Sequence, residues 1–295
     1  MSQLPSKSLK PAASDSLVVK QLELTIGAEV SGVDLRQPLT LELRDAIKAL
    51  LLRHRVLFFR DQFISSEQQI ALARQFGKIY IHPLTKQADR RVPAEEDVSA
   101  SVDSHRISAA WERKHQASKS SWHADTSWLV HPAWGSLLRA IDIPPVGGDT
   151  IWANGNAVYE SLPAETKEKI ADLYVVHDFQ RQLGRLKIDY PIVAHRLVKL
   201  HPETGEKILW INFDQKPSII GRDRDASQDL VDELYKAYLQ PEHHVRFKWS
   251  NGALAFWDNR AGLHYPVTNY GDYPREMERV LIEDFDAFPH YHDLP

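Results

Sequence analysis

The chain has 295 residues, enough for one large domain or two small ones with a substantial core. Its hydrophobic fraction of 43% and charged fraction of 26% are those of an ordinary soluble globular protein, and a net charge of -4 gives no electrostatic reason to expect nucleic acid as a partner. The absence of cysteine excludes disulfides, thiolate metal sites and a cysteine nucleophile, and no apolar run approaches membrane-spanning length.

Residues 1–16 are polar, contain Pro5 and Pro11 and lack the apolar region of a signal peptide, so they read as a flexible lead-in to a single domain over 17–295, with the cytoplasm as the default compartment. Residues 18–26 alternate apolar and polar and lead into a strand and turn over 27–34. Residues 40–53 predict a helix with Thr40 as N-cap and Leu41, Ala46, Ile47, Leu50 and Leu51 as its apolar positions. Residues 56–59 predict a buried strand. Residues 65–76 predict a second helix, capped by Ser65 or Ser66 and ended by Gly77. Residues 86–120 are the least regular, rich in Arg, Glu, Asp, Ser and His, and read as an active-site lid. Strands follow at 136–141, 149–153, 175–179, 197–201, 207–212, 253–258 and 279–285, with helices near 157–173 and 227–239. Strands with helices set to the side argue against a doubly wound parallel sheet and for a mainly antiparallel double-stranded barrel with flanking helices.

One stretch carries chemistry. Trp122-His123-Ala124-Asp125-Thr126 is answered far downstream by His264-Tyr265-Pro266 and by Arg275 and Arg279. Two imidazoles and a carboxylate are the ligand set of a non-haem Fe(II) oxygenase. In a strand, residues i and i+2 share a face, so His123 and Asp125 can hold one metal with Ala124 turned away. Three protein ligands leave an octahedral ion three open positions, which suits oxygen chemistry. His-x-Asp alone is weak, since it recurs by chance; the two arginines add cationic forks for carboxylate or sulfo groups. Arg275 and Arg279 are four apart, which puts them on one face of a strand and also makes them neighbours on a helix.

Several blocks resemble one family in order and character: residues 27–35, 53–62, Trp122-His123-Ala124-Asp125, Gly147-Gly148-Asp149-Thr150-Ile151-Trp152, residues 208–212 and Trp257-Asp258-Asn259-Arg260. From about Leu22 to Phe285 the chain resembles the taurine/alkylsulfate dioxygenase group of Fe(II)/2-oxoglutarate-dependent oxygenases, which also contains the aryloxyalkanoate dioxygenases. The resemblance implies a mainly β fold with a double-stranded β-helix (jelly-roll) core and flanking helices. It implies His123, Asp125 and His264 as iron ligands, and Thr150 and Arg275 as contacts to the 2-oxoglutarate cosubstrate, Arg275 with its far carboxylate. It implies Arg279 and His82 around a substrate sulfo group, Phe213 at the substrate pocket, and a homodimer or homotetramer. The implied reaction uses O2 and converts 2-oxoglutarate to succinate and CO2. It hydroxylates the substrate, which collapses to an aldehyde with release of sulfite or sulfate. Asp125 counts against halogenation, which needs that carboxylate replaced to admit halide.

The substrate reads as a small anionic molecule. Ala117-Ser118-Lys119-Ser120 precede the metal motif, and Lys119 would repel the ammonium of taurine; Thr85 stands where taurine-specific members carry an aromatic ring. A longer sulfonate or a sulfate ester is favoured, with a carboxylate such as an aryloxyalkanoate or an amino-acid-like intermediate as the alternative and a non-catalytic metal scaffold as the remote one. His54, His177, His195 and His201 read as structural, and His243-His244 lacks a third ligand. Asp258-Asn259-Arg260 reads as support for the turn carrying His264. Trp128 and Trp210 read as pocket lining or core.

Overall fold

The computed structural model describes residues 17–81, 103–108, 122–180 and 191–283. The expected flexible segment 1–16, most of the expected lid, His82 and Lys119 lie outside the described residues.

Two sheets face each other as the layers of a jelly roll. The larger has the order β1 (Val18–Gln21), β2 (Ala28–Ser31), β3 (Val56–Phe59), β14 (Leu254–Asp258), β6 (Gly135–Asp142), β16 (Pro274–Ile282); the outer edge of β16 pairs with β4 (Ile79–Tyr80) and β5 (Asp103–Ser108). Among the described residues only β2 and β3 run parallel. The smaller sheet is β13 (His244–Phe247), β7 (Thr150–Asn154), β15 (Gly262–Pro266), antiparallel throughout. Two outlying sheets are β12 (Ser218–Ile219), β8 (Tyr174–His177), β9 (Val193–Arg196), and the pair β10 (Val198–Leu200), β11 (Lys207–Leu209).

Side-chain alternation divides the core. On β3, Val56 and Phe58 point between the sheets, where Phe58 stacks on Phe247 with centroids 4.1 Å apart and meets Trp152 edge-on. Leu57 and Phe59 point the other way, onto α1 (Leu41–His54) and α2 (Ser66–Arg74), which cover the outer face through Leu43, Ile47, Leu51 and Ile70. This double burial explains why residues 56–59 read as a continuous apolar run. A third apolar layer, with Trp122, Val158, Ile208 and Leu234, lies among α3 (Gly155–Ser161), α4 (Ala164–Ile170), α5 (Arg224–Tyr238) and the small sheet.

Local chemistry sets the helix ends. Thr40 caps α1 by accepting from Leu43 N–H. Ser65, not Ser66, caps α2, in a reciprocal box with Gln68. The single helix expected over 157–173 is two helices, because Pro163 has no N–H to donate and starts α4 afresh. The helix expected from 227 begins at Arg224, capped by Asp223. The strand expected from 279 begins at Pro274 and ends at Ile282. Within the span expected to be irregular, residues 103–108 form β5; they lack apolar alternation and are ordered by backbone pairing with β16. His264 lies on a strand, β15, rather than on a turn. Among the described residues no helix is long and apolar enough to cross a membrane.

Gly262 sets how closely β15 approaches β7. A Cβ there would lie 1.9 Å from the Ala153 carbonyl oxygen. Gly262→Ala must therefore push apart the strand pair that carries His264. We expect a loss of at least about 2 kcal/mol and a melting temperature lowered by about 5 °C or more, read by thermal denaturation; an unchanged melting curve would contradict the tight pairing.

Candidate active site

His123 is brought to His264 by the backbone. Each donates its N–H to the other's carbonyl, at 3.0 and 2.8 Å, in an isolated antiparallel bridge. The bridge leaves the two imidazoles 4.1 Å apart, centre to centre. The chain then turns: Thr126 has φ 51, a left-handed conformation uncommon for a β-branched residue. Asp125 is thereby folded back, with Oδ1 3.9 Å from His123 Nε2 and 3.8 Å from His264 Nε2. Ala124 faces away into the outer apolar layer. The expected sharing of a face by His123 and Asp125 is met through a bridge and a turn instead of a regular strand.

The protonation states fit a metal. Burial, then the proximity of the His123 imidazole, holds His264 well below the usual imidazole range, so at neutral pH its ring keeps a lone pair to offer. Burial alone would raise the Asp125 carboxyl; Arg279, His264, His123 and the Ser136 hydroxyl together outweigh it and bring the pKa down to about 2. Two imidazoles and one carboxylate, with ligand atoms all within 4.8 Å of one another, could thus hold a divalent ion.

The strained turn is held from every side. Asn259 accepts from Asp125 N–H at 2.8 Å and donates to the carbonyls of Asp125 and Ala133. Ser136 donates to Asp125 Oδ2 at 2.8 Å. Thr126 Oγ1 accepts from Ala133 N–H. Lys199 donates to His195 Nδ1, which leaves the His195 Nε2 proton for the Ser127 carbonyl, and Asn212 donates to Ser127 Oγ. A left-handed non-glycine residue persists only where its surroundings over-determine it, as these bonds do.

A second set of groups lies along β7 and β16. Residues 275, 277 and 279 share one face of β16, so the spacing of the two arginines is a strand spacing. Arg279 Nη1 donates to Asp125 Oδ1 at 2.5 Å. Arg275 is buried, and its Nε donates to the Gly148 carbonyl at 3.1 Å. Gly147, at φ 74, packs so closely on Asn269 that a Cβ would sit 2.5 Å from its carbonyl oxygen. Asp149 pairs with Arg246. Thr150 is buried and accepts from Trp249 Nε1 at 3.0 Å. Phe213 packs edge-on against Tyr235 and Tyr238 in the outer apolar layer, and its N–H bonds to the Trp122 carbonyl.

The taurine catabolism dioxygenase TauD, TfdA family model matches residues 18–281. The chain belongs to that family. It is 33% identical over 286 residues to an alkylsulfatase of Acinetobacter baylyi, covering 91% of this chain and 86% of that one. It is 32% identical to an alpha-ketoglutarate-dependent sulfate ester dioxygenase of Pseudomonas putida, covering 87% and 86%. A crystal structure of a taurine dioxygenase from Burkholderia xenovorans superposes with a TM-score of 0.75 at 36% identity, over 91% of each chain. Like its family, this chain is a 2-oxoglutarate-dependent dioxygenase acting on a small molecule.

Family membership gives context to two groups that sequence reasoning missed, Ser136 and Trp249, and to one, Asn259, whose target it misplaced. Asn259 and Ser136 touch Asp125 directly. The Asp258-Asn259-Arg260 block was visible, but its middle residue supports the Asp125 turn, while Asp258 and Arg260 pair with each other and with His201 and Glu203. Trp249 carries no local signal that could have marked it. Trp128 stacks on Phe179, and Trp210 lies in the core beside His177. Residues that orient a metal ligand from behind commonly contribute a factor of about 10–100 in metal affinity. Asn259→Ala is expected to weaken divalent-metal binding by about that factor in titrations of the metal-free protein; unaltered affinity would show that the turn holds Asp125 without it.

Proposed function

We propose that this dioxygenase binds iron(II) through His123, Asp125 and His264 and oxidises a sulfate ester or sulfonate at the carbon bearing the sulfur group. The observation that carries the reading is the position of Arg279: its guanidinium reaches Asp125 Oδ1 while sharing a strand face with Arg275. A substrate anion that meets this guanidinium has its adjacent carbon beside the three-ligand cluster.

The residues then have distinct tasks. His123, Asp125 and His264 hold the metal, which when bound activates O2 together with 2-oxoglutarate. Arg275 meets the distal carboxylate of 2-oxoglutarate with a planar fork, and its Nε bond to Gly148 fixes the direction of that fork. Thr150 donates its hydroxyl proton to the cosubstrate. Arg279 holds the substrate's charged group, so that the C–H bond next to it is the one exposed to oxidation. One oxygen atom ends in succinate and the other in the substrate hydroxyl. The hydroxylated carbon of a sulfate ester then loses sulfate with its electron pair as the hydroxyl proton leaves, giving an aldehyde; a sulfonate loses sulfite in the same way.

Incubation with 2-oxoglutarate, Fe(II), O2 and a panel of alkyl sulfates, sulfonates and aryloxyalkanoates is expected to release sulfate or sulfite in step with succinate. Turnover confined to the carboxylates would overturn the sulfur reading. Loss of a charge-assisted hydrogen bond costs about 1.5–3 kcal/mol, so Arg279→Gln should lower kcat/KM for the sulfur substrate by about 10- to 100-fold. Metal affinity should be measured on the same variant, because Arg279 also touches Asp125.

A further inference from the structure

Thr150 is a buried hydroxyl that uses one of its two acceptor lone pairs and keeps its donor proton in hand. Its side chain is 2% exposed, and its oxygen accepts the indole N–H of Trp249 at 3.0 Å. Tryptophan is a donor only, so this bond fills one lone pair of the hydroxyl and leaves its proton to go elsewhere. Among the described residues no acceptor takes that proton. A buried donor left without an acceptor is costly, and the direction in which this one points is set by the indole.

The indole is itself held in place. Trp249 is 5% exposed, lies edge-on to Phe247 at 5.1 Å and packs against Trp152 at 6.2 Å. Phe247 pairs with Thr150 across β13 and β7, so the donor and the hydroxyl are fixed by one strand register. Two residues before Thr150, the Gly148 carbonyl holds Arg275 Nε.

From this geometry we propose that Trp249 is a positioning residue for the cosubstrate. Its N–H turns the Thr150 hydroxyl so that the hydroxyl proton points away from the indole, toward a carboxylate oxygen of 2-oxoglutarate. The proposal rests on the cosubstrate role given to Thr150 above. Trp249 acts through Thr150, by removing the rotational freedom that the hydroxyl would otherwise lose on binding.

The test is anaerobic calorimetric titration of 2-oxoglutarate into the Fe(II)-loaded full chain, with Trp249→Phe, Thr150→Val and the double variant. Phenylalanine keeps the ring packing and deletes the donor. A neutral hydrogen bond corresponds to a factor of about 3–10 in affinity, so Trp249→Phe is expected to raise Kd for 2-oxoglutarate by that factor while KM for the sulfur substrate stays level. Thr150→Val should raise Kd at least as much, and the double variant should be no worse than Thr150→Val alone. Unchanged Kd in Trp249→Phe, or additive losses in the double variant, would overturn the positioning role. Unchanged Kd in Thr150→Val would instead sink the cosubstrate reading of Thr150, and this proposal with it. If Trp249→Phe fails to fold, the benzothiophene analogue of tryptophan at 249, which keeps the ring volume and replaces N–H by sulfur, gives the same reading.

Discussion

The backbone bridge between His123 and His264 is the constraint on which the site depends. The two residues are far apart in sequence, one in an isolated bridge and one on a regular strand, yet their peptide groups satisfy each other at 3.0 and 2.8 Å. Buried peptide groups must find partners, so this pairing fixes the two imidazoles without any demand on the side chains. Everything that follows His123 is then constrained: the chain must leave the bridge, turn back within two residues and present a carboxylate to both rings. The left-handed Thr126 is the cost of that reversal, and the bonds from Asn259, Ala133, His195 and Asn212 offset it.

A carboxylate enclosed as fully as Asp125 would ordinarily favour its proton. Here it stays ionised chiefly because the Arg279 guanidinium and the Ser136 hydroxyl compensate for lost water, the imidazoles adding to this only where they carry a proton. The same enclosure acts oppositely on His264, where it favours the neutral ring. Low polarity thus prepares both ligand types in the states a metal needs, by pushing one toward neutrality and letting specific partners rescue the other. The ion pair with Arg279 also places a cation and the three-ligand cluster within one hydrogen bond of each other, which on the proposed assignment would couple an anionic group on a substrate to the metal's surroundings.

Much of this was legible in the sequence, for physical reasons that differ by element. Helices α1 and α2 could be read because Thr40 and Ser65 are side-chain caps, a local signal. The strand at 56–59 could be read because it is buried on both faces. The break at Pro163 was also local and was overlooked, since the apolar spacing on either side continues through it. β9, β13 and β15 were missed because each is short and is defined by its neighbours' backbones more than by its own pattern. Of the site, the three metal-binding candidates and the two arginines were visible as residue types in order. Ser136 and Trp249 were not, and Asn259 was visible only in a block read as supporting a different turn, because their contribution is a hydrogen bond made across the barrel, and no spacing along the chain encodes which strand faces which.

That Arg275 and Arg279 stand on one regular strand turns β16 into a ruler. The extra residue in its pairing with β6 falls on β6, and β16 runs in unbroken register against β5 from Pro274 to Arg279. Four residues of strand span about 13 Å, and a strand cannot stretch or slip to change that interval without turning its side chains to the other face. On the proposed assignment, the charged end of the cosubstrate and the charged end of the substrate are anchored at a fixed separation along one rigid rail. A bulkier or longer substrate must then find its room away from β16, where the sequence is free to vary without moving either anchor.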